Sequence, residues 1–366
     1  MTFDIARLEK LLTDTLVRDL GDDVELVFCY GSQVSNATHE YSDIDISYVP
    51  TDESQWYSIT VTLENVMIDC YPIHWSRLER MADFEEVSCT VLLSNRVIYG
   101  ANEHVLERFR QLPDRLKALL QPEMRPAMIQ KASDLFQRTG YHYYLLNRQA
   151  AAGHRLGCLY HSQQILNGVT HCLAVLNQKT VDTRKLDQVA GLDRLPARFG
   201  ELVTAIVSTT EPDKRLGATE RLLDATRELL LAERASVARP SRTHAEVLDT
   251  GYPELLGDLL HVKRACERND RYAMPLASLY HELMLHISLA ESTDEYDGLN
   301  AIADYEQDLA ALGFPDLIAY LARDDMDGCA EACGRFDLRL REYLKERDVN
   351  LSRFESMNEL ESYLGW

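Results

Sequence analysis

The sequence predicts an α+β fold: an N-terminal domain of mixed strands and helices over residues 1–112, then helical-bundle regions over 113–240 and 254–366. Two observations predict it. Short apolar, β-branched runs alternate with helical periodicity before Pro113, whereas after Pro113 the spacing of apolar residues is almost wholly helical. At ~150 residues per domain, a chain of 366 residues holds two or three domains, each able to bury its own core.

The elements follow in order. Ile5, Leu8, Leu11, Leu12, Leu16 and Leu20 recur at helical spacing, and Gly21 supplies a stop. Val24 to Tyr30 is an apolar strand closed by Gly31-Ser32. After a polar stretch, Asp43 to Val49 alternates strictly, with aspartates on one face and isoleucines on the other, and Pro50 ends it. A helix is expected from the fifties to Leu63, a third strand over Val66 to Ile73, and a further strand from Ser94 to Tyr99 closed by Gly100. Leu159 to Leu176, Leu276 to Leu289 and Leu338 to Leu344 read as amphipathic helices. Ala235 to Pro253, with two prolines and several small polar residues, reads as a linker. No repeat of fixed period is present.

Composition narrows the function classes. Hydrophobic residues make up 46% and charged residues 27%, ordinary for a globular protein. Lys plus Arg is 38 against 59 for Asp plus Glu, a formal net charge of −21. Such a chain repels phosphate backbones, so general nucleic-acid binding is disfavoured and a metal ion or a cationic small molecule is favoured. The eight cysteines form no CxxC pair and mostly sit in apolar runs, as free thiols do. No signal-peptide pattern is evident, and no apolar stretch approaches the ~20 residues of a membrane span. The expectation is a cytoplasmic protein with no membrane partner and an open oligomeric state. The sequons at Asn36 and Asn350 are then chance matches.

The informative constellation is Gly31-Ser32, ten residues, Asp43-Ile44-Asp45, and then Asp69 on a later strand. Residues two apart on a strand leave the same face, so Asp43 and Asp45 point together. With Asp69 on a neighbouring strand, three carboxylates converge. Like charges held that close are costly unless they neutralise a cation, and hard Mg²⁺ prefers carboxylate oxygen. A glycine lets a ligand approach the backbone, and a serine and turn amides donate to phosphate oxygens. Together these parts suit attack on a nucleoside triphosphate.

This pattern resembles the signature of the polymerase-β-type nucleotidyltransferases, and Tyr30 to Val49 is similar to their kanamycin (aminoglycoside) nucleotidyltransferase branch. The resemblance covers about residues 24–110, is faint over about 128–200, and is absent after about 240. It implies that Asp43 and Asp45 bind one or two Mg²⁺ ions, with Asp69 as a third ligand or as the group orienting the acceptor hydroxyl. Gly31, Ser32 and Ser42 would contact the phosphates of the NTP. The implied reaction transfers a nucleoside monophosphate to a hydroxyl of a small-molecule acceptor, aminoglycoside-like on grounds of charge, and releases pyrophosphate. Two departures stand out. Ser35 occupies the place of an arginine, for which Arg138, Arg148 or Arg155 could substitute. Gln137 falls where the family has a glutamate base, with Asp134 and His142 nearby, and an amide cannot take a proton.

Two other readings are weighed beside this one. Toxin–antitoxin-type nucleotidyltransferases share the spacing and modify a protein or tRNA, but are typically one small domain. A catalytically inactive nucleotide sensor would fit the departures, but has little use for three aspartates. His281-Glu282-Leu283-Met284-Leu285-His286 resembles a zinc motif with its second histidine one residue too late. Cys329 and Cys333 share a helix face and read as packing. Tyr141-His142-Tyr143-Tyr144 reads first as core and second as the wall of an acceptor pocket.

Overall fold

The computed structural model describes residues 3–34, 42–52, 56–183, 185–237, 243–248, 251–293 and 309–365. It divides into two compact units, Met1–Arg234 and Ala235–Trp366. The architecture is α+β: a mixed five-stranded sheet near the N-terminus, followed by helices.

Unit one opens with helix α1 (Ile5–Leu20), where the Asp4 carboxylate accepts from the amides of Ala6 (3.0 Å) and Arg7 (3.3 Å) and Gly21, at φ 60°, closes the last turn. The strands are β1 (Val24–Tyr30), β2 (Ile44–Pro50), β3 (Ile59–Leu63), β4 (Val66–Pro72) and β5 (Asn95–Gly100), in the order β3-β4-β2-β1-β5. Only the β2–β4 pair is parallel. Alternation decides which face each residue takes. Val27, Cys29, Ile44, Ile46, Ile68 and Cys70 point one way and pack beneath Leu8, Leu12 and Leu16 of α1. Each such aliphatic side chain contributes roughly 1.5–3 kcal/mol by leaving water. The opposite face receives Phe28, whose ring packs on Phe109 of helix α4 (Glu103–Leu119) with centroids 5.1 Å apart.

One expected element is corrected. None of the described residues from Trp56 to Leu63 is helical: Ile59–Leu63 is the edge strand β3, which pairs with β4 from Leu63↔Val66 to Ile59↔Cys70. Glu64 and Asn65, at φ 51° and 66°, form the two-residue left-handed turn that matches the twist of a hairpin. Three β-branched residues, Thr60, Val61 and Thr62, add strand propensity that the helical reading overlooked. Pro113, where the sequence changes character, lies inside α4.

The helical part of unit one includes α5 (Arg125–Gln137), α6 (Thr139–Ala151), α7 (Arg155–Leu176) and α10 (Pro212–Ala235). Arg125 ties three of them together, donating to the Leu176 carbonyl and pairing with Glu233. Phe84 joins this part to the sheet domain. It follows helix α2 (Trp75–Ala82), is buried at φ 59°, and places its ring 6.2 Å from that of His171 on α7. Burial lowers the His171 imidazole to about 4, from an ordinary 6.5. A base whose folded value is depressed contributes stability that is present above pH 6.5 and is lost as the pH falls towards 4, because the unfolded chain takes the proton first. In His171→Asn, the fall in unfolding free energy across that window should flatten by up to about 1.4 kcal/mol per pH unit, the slope for one proton. Urea titrations at several pH values check this.

In unit two, helices Gly251–Glu267, Ala273–Thr293 and Met326–Lys345 surround one apolar core. Cys329 and Cys333 are buried in it, and all eight cysteines of the chain are buried free thiols. His281 is also buried there, its ring 4.7 Å from that of Phe336. Among the described residues, no helix is long and apolar enough to cross a membrane.

Candidate active site

Sheet register assembles the acidic face. Asp45 on β2 lies opposite Tyr30 of β1 on one side and opposite Asp69 of β4 on the other. Neighbouring strands are ~4.8 Å apart, so Asp45 and Asp69 leave the same face at adjacent positions. Asp43, two residues before Asp45, precedes the strand and is half-buried. The same face carries Ser47 and, opposite it, Tyr71. The Tyr30 and Tyr71 hydroxyls hydrogen-bond to each other across β2. Burial, then the bond to Tyr71, raises the Tyr30 phenol far above its usual range, so it stays protonated. Cys70, between Asp69 and Tyr71, points into the core beneath α1, and burial pushes its thiol up to about 12. It is therefore no nucleophile at neutral pH.

Gly31 ends β1 in a left-handed conformation, φ 80°, directly over this face. A Cβ at that position would stand 2.8 Å from Asp45 Oδ2. Glycine is thus required twice, by the backbone angle and by the closeness of the carboxylate. Gly31→Ala is expected to cost about 1–2 kcal/mol of stability from the left-handed backbone alone, and to displace the Asp45 carboxylate. Thermal melts check the first effect, and divalent-cation titration of the folded variant checks the second. Ser42 is buried at the entry to β2, and the backbone of Ser32 lies in the short 3₁₀ turn Gly31–Gln33. Ser35 lies outside the described residues.

Asp69 has a partner that sequence reading missed. Thr60 Oγ1, its register partner on β3, donates to Asp69 Oδ1 at 2.7 Å. Finding Thr60 required recognising the hairpin. Tyr71 could have been found from the period of two that follows Asp69. The donor set suits a hard divalent cation: carboxylate oxygens drawn from one sheet face, with the missing side chain of Gly31 leaving room for the Asp45 carboxylate. As the side chains stand, no three His, Cys, Asp or Glu residues among those described close around one point to hold a metal ion.

The residues named as substitutes lie on or beside helices α5, α6 and α7. Gln137 is exposed at the end of α5, and Asp134 accepts from Gln130 Nε2 at 2.9 Å. Arg138, Arg148 and Arg155 are exposed. The expectation that the Tyr141–Tyr144 run packs in the core is overturned, because Tyr141 is 68% and Tyr144 57% exposed. The other two residues of the run, His142 and Tyr143, are half-buried. Two clefts, of about 420 and 380 Å³, are lined by residues other than those of the acidic face, one by Asp258 and Tyr272 in unit two and one by Leu156 and Tyr160 on α7.

No protein-family model matches the chain, and no curated protein matches it. Among solved structures, the chain is similar to the crystal structure of a nucleotidyltransferase-like protein from Exiguobacterium sibiricum 255-15, with 15% identity and a TM-score of 0.33. The match covers 66% of this chain and 84% of that one.

Proposed function

We propose that the protein is a Mg²⁺-dependent nucleotidyltransferase that moves a nucleoside monophosphate from an NTP to a hydroxyl of a small molecule. The supporting observation is the juxtaposition of Gly31 with Asp45 and of Asp45 with Asp69 on one sheet face. Asp43 and Asp45 would hold Mg²⁺, with Asp69 as a further ligand or as the group that orients the acceptor. When bound, the ion supplies charge neutralisation for the triphosphate.

In this reading the chain's own residues do the positioning. The left-handed turn at Gly31 leaves room for a phosphate to approach backbone amides. Ser32 and Ser42 would contribute hydroxyls to the phosphates. Tyr30 and Tyr71, locked together behind the carboxylates, hold the face rigid. Thr60 fixes the rotamer of Asp69. The acceptor oxygen forms a bond to the α-phosphorus as the α–β anhydride breaks, its proton passes to solvent or a neighbouring carboxylate, and pyrophosphate departs. Such alignment supplies most of the catalysis in this chemistry.

The acidity of the chain favours a cationic acceptor of aminoglycoside type. The test is mass spectrometry of candidate acceptors incubated with each NTP and Mg²⁺, with pyrophosphate release measured in parallel. Mass gain by one nucleoside monophosphate on a small acceptor supports the reading. Label on a protein or tRNA transfers the activity to a macromolecular acceptor. Tight NTP binding with no pyrophosphate released across the panel leaves a binding protein and overturns the enzymatic reading.

A further inference from the structure

We propose that His142 and His161 form a two-imidazole clamp for a divalent transition-metal ion of the Zn²⁺ or Ni²⁺ type, fastening α6 to α7. The helices are joined by only three residues, Ala152 to His154, with Gly153 at φ 69°. This short connection makes them antiparallel neighbours. It brings two residues 19 apart in sequence face to face, with the Nδ1 atoms 3.2 Å from each other and the rings 5.5 Å apart between centroids.

Two facing imidazole nitrogens need something positive between them. A proton serves if one ring carries its hydrogen on Nδ1. A metal serves equally: two Zn–N bonds of about 2.0–2.1 Å place their nitrogens about 2.9 Å apart at a right angle and about 3.4 Å apart at the tetrahedral angle. The observed separation falls between those limits. Both rings are half-buried, unlike His171 and His281, so an ion can enter and water can complete its shell. Water is needed, because no third His, Cys, Asp or Glu among the described residues completes the group.

The surroundings favour the ligand state. Tyr141 and Tyr160 set their rings edge-on to His142, at 5.4 and 6.4 Å, and Tyr160 stands edge-on to His161 at 5.0 Å. Burial, then the neighbouring His142, lowers the His161 imidazole below its ordinary value. Imidazole nitrogen selects Zn²⁺, Ni²⁺ and Cu²⁺ over Mg²⁺, so the clamp and the carboxylate face draw on different ions.

The test is calorimetric titration of the full chain with Zn²⁺ in excess Mg²⁺, which occupies carboxylate sites. One equivalent should bind with micromolar affinity, as suits two protein ligands rather than four. His142→Ala and His161→Ala should each weaken that equivalent at least about tenfold. The exposed His154→Ala should leave it unchanged. Circular dichroism verifies that each variant is folded, and Cu²⁺ electron paramagnetic resonance should show coupling to two nitrogens. A wild-type protein that binds no more Zn²⁺ than His142→Ala or His161→Ala, or Cu²⁺ coupled to no histidine pair, reduces the contact to an N–H···N hydrogen bond and overturns the proposal.

Discussion

Asp45→Asn is expected to lower nucleotidyl transfer by about 10³-fold, the loss that follows removal of a central charge-stabilising group. Asp45 stands at the junction of every positional feature of the face. It pairs in register with Tyr30 and Asp69, and its carboxylate fills the space left by Gly31. The asparagine keeps the shape and removes the charge. Adding Mg²⁺ and NTP should then stabilise the wild type and not the variant, since only a ligand bound by the folded state shifts the melt. Turnover measured by pyrophosphate release provides the primary check. Wild-type turnover in Asp45→Asn would remove the carboxylate face from the chemistry. The zinc clamp does not depend on this result, as it shares no residue with that face.

Phe28→Ala is expected to destabilise unit one by about 3–5 kcal/mol. Phe28 has no exposed surface and joins the central part of β1 to α4 through Phe109, on the sheet face that carries the aspartates further along. The alanine leaves a cavity between sheet and helix that neither rigid element can close. It also loses an aromatic pair worth about 0.5–1.5 kcal/mol beyond burial. Urea unfolding followed by the fluorescence of Trp75, on α2 of the same unit, measures the effect. A change below about 1 kcal/mol would show that the sheet and α4 are held together by other contacts.

Much of this protein was legible without coordinates because its signals are local. The period of two through Asp43, Ile44, Asp45 and Ile46 separates carboxylates from core on any strand, and the helical spacing from Ile5 to Leu20 marks one buried stripe. Neither depends on a distant residue. The Tyr141–Tyr144 run shows the limit: aromatic composition does not reveal which neighbours cover a helix, and here Tyr141 and Tyr144 stay exposed.

What only the tertiary structure decided is which strands become neighbours. Sequence spacing does not say that β4 lies parallel to β2 with Asp69 beside Asp45, nor that an edge hairpin brings Thr60 to Asp69. Nor does it say that a three-residue connection sets His142 against His161. The physical reason is common to all three. Periodicity chooses the face a side chain occupies, whereas register and turn geometry choose its partner, and those depend on how the whole unit closes its core.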